Sequence, residues 1–106
     1  MNERVKAVLT ELRHCFEVLY SERLVGMMLY GSQARGGAEP GSAMDVLIIL
    51  KGPVNPGEEI ARTGGIVADL SLRFNEVTSC VFTDEDRFTY RSGPFLRNIR
   101  REGITV

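Results

Sequence analysis

Leu24-Val25-Gly26-Met27-Met28-Leu29-Tyr30-Gly31-Ser32-Gln33-Ala34-Arg35-Gly36-Gly37 leads, through Ala38-Glu39-Pro40-Gly41-Ser42, into Ala43-Met44-Asp45-Val46-Leu47-Ile48-Ile49-Leu50. Two apolar runs flank a polar, glycine-rich connection. The first, Leu24 to Tyr30, is short and stops at Gly31, which predicts a buried strand. The second, Met44 to Leu50, is richer in β-branched residues and ends at Lys51-Gly52-Pro53, which predicts a strand closed by turn residues. Asp45 stands out in this second run. An unpaired charge inside an apolar segment is costly, so a cation or a backbone donor has to compensate it.

Outward from this pair of strands, Val5, Val8, Leu9, Leu12, Phe16 and Leu19 recur at three- and four-residue steps and predict an amphipathic helix over Glu3 to Tyr20. Pro53 to Gly57 reads as a loop. Ile60, Val67, Leu70 and Phe74 then mark a helical stripe, weakened by Gly64-Gly65 at about 1 kcal/mol each. Glu76 to Thr83 alternates weakly and predicts a third strand. Asp84-Glu85-Asp86 opens a short helix, where negative charge suits the helix dipole. Pro94 starts a last helix carrying Arg97, Arg100 and Arg101, stopped by Gly103, with a terminal strand at Ile104 to Val106. Gln33-Ala34-Arg35 predicts one helical turn after Gly31. The order points to an α/β (α+β) fold, a small mixed sheet flanked by helices, with residues 1–106 as one domain.

Composition excludes more than it assigns. The chain has 106 residues, 43% hydrophobic and 25% charged, as ordinary soluble domains have. A net charge of −1 argues against a nucleic-acid binder, which is usually basic. Cys15 and Cys80 lie far apart in apolar settings and read as buried thiols of a reducing compartment, not as a disulfide. The N-terminus lacks an apolar signal core and no run is long enough for a membrane span, so the expected location is the cytoplasm.

The chemistry starts at Gly31, where a missing Cβ lets the backbone turn sharply and approach a ligand. Ser32 follows at a helix start, and backbone N–H groups there, with a hydroxyl, form an anion site suited to terminal phosphates. Arg35 adds a charge-assisted contact or braces the loop. On its own, Gly31-Ser32 reads as a flexible connection; the distance to Asp45 gives it weight. Residues two apart on a strand share a face, so positions 43 and 45 point the same way. Two carboxylates there would hold Mg²⁺ together with triphosphate oxygens.

The stretch from Leu29 to Ile48 resembles the signature of the minimal nucleotidyltransferases, in the DNA polymerase β-like superfamily: Gly-Ser, ten residues, then Asp-x-Asp, with Ala-Arg-Gly after the Gly-Ser. Gly31-Ser32, Ala34-Arg35-Gly36, Ser42 and Asp45 all fall in register. The resemblance implies a polymerase β palm-like fold and transfer of a nucleoside monophosphate from ATP or another nucleoside triphosphate to a hydroxyl, with two Mg²⁺ ions. It gives Gly31 and Ser32 the terminal phosphates, Arg35 and Ser42 supporting nucleotide contacts, and Asp45 the second metal-binding carboxylate.

Ala43 occupies the position of the first carboxylate. One aspartate cannot bridge two divalent ions, so transfer by this chain is expected to be impaired. The departure fits a pseudo-enzyme, or an aspartate replaced in an otherwise intact signature. A third carboxylate normally serves as general base; Glu76, opening the third strand, is the candidate, with Asp69 on the preceding helix less suited. His14 has no companion at ligand spacing. Arg91, Arg97, Arg100 and Arg101 form a basic end suited to a local partner face. The resemblance further implies a HEPN-type protein partner in an antitoxin–toxin arrangement, with AMP transferred to a hydroxyl of that partner. Homo- and hetero-oligomers both fit it. The competing reading is a catalytically inactive subunit that binds nucleotide or neutralises its partner by contact.

Overall fold

The computed structural model describes residues 3–31, 34, 43–91 and 93–106. Helix α1 spans Glu3–Tyr20 and is followed by a 3-10 turn, Ser21–Arg23. Strands β1 (Leu24–Tyr30) and β2 (Met44–Leu50) precede helix α2 (Pro56–Phe74) and strand β3 (Thr78–Asp84). Helices α3 (Glu85–Tyr90) and α4 (Pro94–Glu102) and strand β4 (Ile104–Thr105) complete the order. The expected turn at Gln33-Ala34-Arg35 lies outside the described residues, apart from Ala34.

The strands form one mixed sheet in the order β3-β2-β1-β4. β2 pairs antiparallel with β1 and parallel with β3, and β1 pairs antiparallel with β4. Strand alternation divides the side chains between two faces. On one, Met27, Leu29, Met44, Val46, Ile48, Leu50 and Phe82 meet Val5, Val8, Leu12 and Phe16 of α1 and Leu70 of α2. On the other, Leu47 and Ile49 pack with Ile99 and Leu96 of α4 and Phe88 of α3. β2 is therefore covered on both sides, which is why its sequence is apolar without a break from Val46 to Leu50.

Helix α2 starts at Pro56 behind an Asn55 cap, whose side chain accepts from the Glu58 N–H at 3.3 Å. Val67, Leu70 and Phe74 of the expected stripe pack against the core, but the first turn departs from it. Ile60 is 53% exposed, while Glu59 and Thr63 are buried with Leu70. The cause is polar: Tyr20 Oη donates to Glu59 Oε1 at 2.6 Å, and Arg62 lies 3.4 Å from the same oxygen. Burial, together with the Glu59 acceptor, pushes the Tyr20 hydroxyl well above its ordinary pKa. On α1 the same contact buries Tyr20 in place of Leu19, which is 41% exposed. Gly64 and Gly65 face open space and do not interrupt the helix.

The third strand opens at Thr78, two residues later than expected. Asn75 caps α2 in the left-handed region at φ 50°, and the Glu76 N–H donates to the Ser71 carbonyl at 3.1 Å. Glu76 is thereby part of the helix ending. Asp84 closes β3 and caps α3 by accepting from the Arg87 N–H at 2.7 Å. Arg100 of α4 donates to the carbonyls of Phe88 and Arg91, and its guanidinium carbon lies 5.8 Å from the Phe88 ring centre. That basic side chain, expected on a partner face, is spent on joining the last two helices. Both cysteines are free and half-buried. Among the described residues no helix is long and apolar enough to cross a membrane.

Candidate functional site

β1 ends at Tyr30, and the next residue, Gly31, bends in the left-handed region at φ +76°. Antiparallel pairing sets Tyr30 opposite Asp45. The Asp45 side chain lies directly against the turn: a Cβ at Gly31 would stand 2.7 Å from its Oδ2. Glycine at 31 thus answers two demands at once, a left-handed backbone and a close approach to a carboxylate. Ser32, Arg35 and Ser42, expected to contact phosphates, lie outside the described residues.

Asp45 is half-buried, and burial raises its carboxyl pKa above the ordinary value. No hydrogen bond or ion pair to it is found among the described residues. Its charge also acts on Tyr30, whose hydroxyl is pushed up first by burial and then by Asp45 and Cys80. An acidic group held half out of water beside a sharp glycine turn is poised to meet a cation or a polar ligand.

The neighbours of Asp45 decide what it can hold. Ala43, two residues earlier, brings no donor to that face. Across the parallel pairing the residue in register with Asp45 is Ser79. The general-base role expected of Glu76 depended on its opening β3, and the structure sets it in the turn that ends α2 instead. Asp69 is on the exposed side of α2, paired with Arg73 at 3.1 Å. Asp84 is at the far end of β2, opposite Leu50. No group of three His, Cys, Asp or Glu side chains able to hold a metal occurs among the described residues. These residues do not fit a two-cation cluster: Asp45 can supply one ligand, and Ala43 and Ser79 do not complete it.

Sequence reasoning passed over Tyr30 and Ser79. Tyr30 was one member of an apolar run, and only the pairing of β1 with β2 sets it beside Asp45. Ser79 could be found only by knowing the register of a parallel strand more than thirty residues away.

A family model described as "nucleotidyltransferase domain" matches residues 9–93. Among solved structures, a toxin–antitoxin crystallised with AMP-PNP is similar at 16% identity and a TM-score of 0.64, over 98% of this chain and 72% of that chain. A protein of Sulfolobus solfataricus assigned as a nucleotidyltransferase is similar at 17% identity and a TM-score of 0.53, over 99% of this chain and 86% of that one. No curated protein matches. At these identities the two structures show a shared fold.

Proposed function

The chain belongs to the nucleotidyltransferase domain family, and from that premise we propose that it binds a nucleoside triphosphate at the Gly31 turn and serves transfer of the nucleoside monophosphate to a hydroxyl of a partner protein. The partner in this reading is a HEPN-type toxin, the nucleotide ATP or another nucleoside triphosphate, and the setting the cytoplasm. The observation that carries it is the Asp45 carboxylate lying against Gly31. That contact joins the two halves of the sequence signature at one point. A toxin–antitoxin crystallised with AMP-PNP shares the fold, which supports a nucleoside triphosphate as ligand and a toxin as the class of partner.

In the transfer, a hydroxyl oxygen bonds to the α-phosphorus, the bond to pyrophosphate breaks, and the hydroxyl proton passes to a base. Gly31 and Ser32 are assigned the terminal phosphates, Arg35 and Ser42 the supporting contacts, and Asp45 the single carboxylate ligand of a weakened Mg²⁺ site. Ser79 is no proton acceptor at neutral pH, so none of the residues beside Asp45 is assigned as base. The reaction is therefore expected to be slow or absent in this chain.

Ala43 favours a second reading, a subunit that keeps nucleotide binding and neutralises its partner by contact. Two measurements test these readings, the first the nucleotide site they share and the second the difference between them. Calorimetry with ATP is expected to show binding that weakens in Ser32→Ala without loss of fold; equal affinity in both proteins would remove the phosphate assignment. Ala43→Asp, assayed with labelled ATP, Mg²⁺ and the partner, is expected to raise transfer by at least about a hundredfold, the scale of one catalytic electrostatic group. If Ala43→Asp stays inert with the partner present, the contact-only reading stands.

A further inference from the structure

Helix α4 lies beyond residues 9–93, which the family matches, yet it packs on the sheet face that carries Asp45. Its course is fixed at three points. Phe95 meets Tyr30, Ile99 packs with Leu47 and Ile49, and a Cβ on Gly103 would come within 3.0 Å of Met28 Cε. The helix therefore runs against the direction of β1 and begins at the Gly31 end.

That course sets Phe95 near the candidate site. Its ring centre is 5.6 Å from that of Tyr30, with the planes at 86°. A perpendicular pair uses the edge of one ring and a face of the other, which leaves aromatic surface free. Phe95 keeps 49% of its surface exposed. Tyr30 is itself the register partner of Asp45, one strand spacing away, about 4.8 Å. An exposed aromatic ring, steadied by a second ring and next to the turn, is a surface on which a flat heterocycle stacks.

We propose that Phe95, braced by Tyr30, takes the base of the nucleoside triphosphate whose phosphates lie at the Gly31 turn. The inference rests on the nucleotide reading of the preceding subsection and deepens it. Stacking engages the π-face of a base and not its hydrogen-bonding edge. Purine nucleotides are accordingly favoured over pyrimidine nucleotides, with little discrimination between adenine and guanine.

The test compares ATP with inorganic tripolyphosphate, which has the phosphates and no base, by calorimetry on the parent chain, Phe95→Ala and Phe95→Trp. The expected result is an ATP dissociation constant at least about fivefold higher in Phe95→Ala, restored in Phe95→Trp, with tripolyphosphate affinity unchanged throughout. Unchanged ATP affinity in Phe95→Ala overturns the base contact while leaving the phosphate site standing. Equal weakening of both ligands overturns it too, because the loss is then not at the base. A parent chain that binds neither ligand removes the nucleotide reading and this inference with it.

Discussion

Gly31→Ala tests the contact on which the site depends. Two costs are separable in the structure. The backbone at φ +76° burdens an L-residue by about 1–2 kcal/mol. The added methyl carbon would also stand 2.7 Å from Asp45 Oδ2, whereas ordinary contact begins at 3.4 Å. The carboxylate must swing aside, and an off-rotamer side chain costs roughly 0.5–1.5 kcal/mol. The variant is thus expected to lose roughly 1.5–3.5 kcal/mol in urea denaturation. In an Asp45→Ala background the second cost vanishes and the first remains, so the double-mutant cycle should yield a coupling of about 0.5–1.5 kcal/mol. ATP affinity should fall in Gly31→Ala as the carboxylate moves. Equal destabilisation by Gly31→Ala in both backgrounds would refute the claim that Asp45 lies against the turn.

Three further expectations follow from burial. Asp45 has a folded-state carboxyl pKa above its ordinary 3.8 because burial disfavours the charge. The native state then binds the proton more readily than the unfolded chain, and this group's contribution to stability rises as pH falls through the raised value toward 3.8. Asp45→Asn should stabilise the protein at neutral pH, with the gain shrinking in mild acid; a gain equal at both pH values would show that the carboxylate is not desolvated. Tyr20→Phe removes the donor to Glu59, itself 3% exposed, and should cost about 1–3 kcal/mol by urea denaturation; a cost near zero would mean that Arg62 alone satisfies the carboxylate. Ile60→Lys should change stability by less than about 0.5 kcal/mol, since Ile60 points to solvent; a large loss would restore Ile60 to the core.

The elements legible in the sequence were those whose burial is apolar and local. α1, β1 and β2 follow from periodicity, from Gly31 and from an apolar run rich in β-branched residues, because each buries carbon against carbon. The first turn of α2 was not legible for the opposite reason. Its inward residue, Glu59, is tolerated inside because Tyr20, 39 residues away, supplies a hydroxyl and Arg62 a charge. Hydrophobic periodicity assigns a glutamate outward and sets Ile60 inward in its stead, whereas Val67, Leu70 and Phe74 pack inward as the stripe has them. The start of β3 failed on a backbone conformation: Asn75 accepts the left-handed region and takes Glu76 into the helix ending.

The same distinction separates the parts of the site. Gly31 and Asp45 belong to one signature of fixed spacing, so both residues were marked in the sequence, though their contact needs the β1–β2 pairing. Ser79 and Phe95 reach Asp45 and Tyr30 through a parallel register and a helix crossing, neither of which leaves a local trace. Yet Asp45 itself could be singled out without any partner, because it contradicts its surroundings. A carboxylate at the start of a strand buried on both faces costs stability, and no neighbour among the described residues offsets that cost. On the same face of β2, Leu47 and Ile49 are the apolar residues that packing calls for. In the nucleotide reading proposed above, the ligand entering at the Gly31 turn is what offsets that cost.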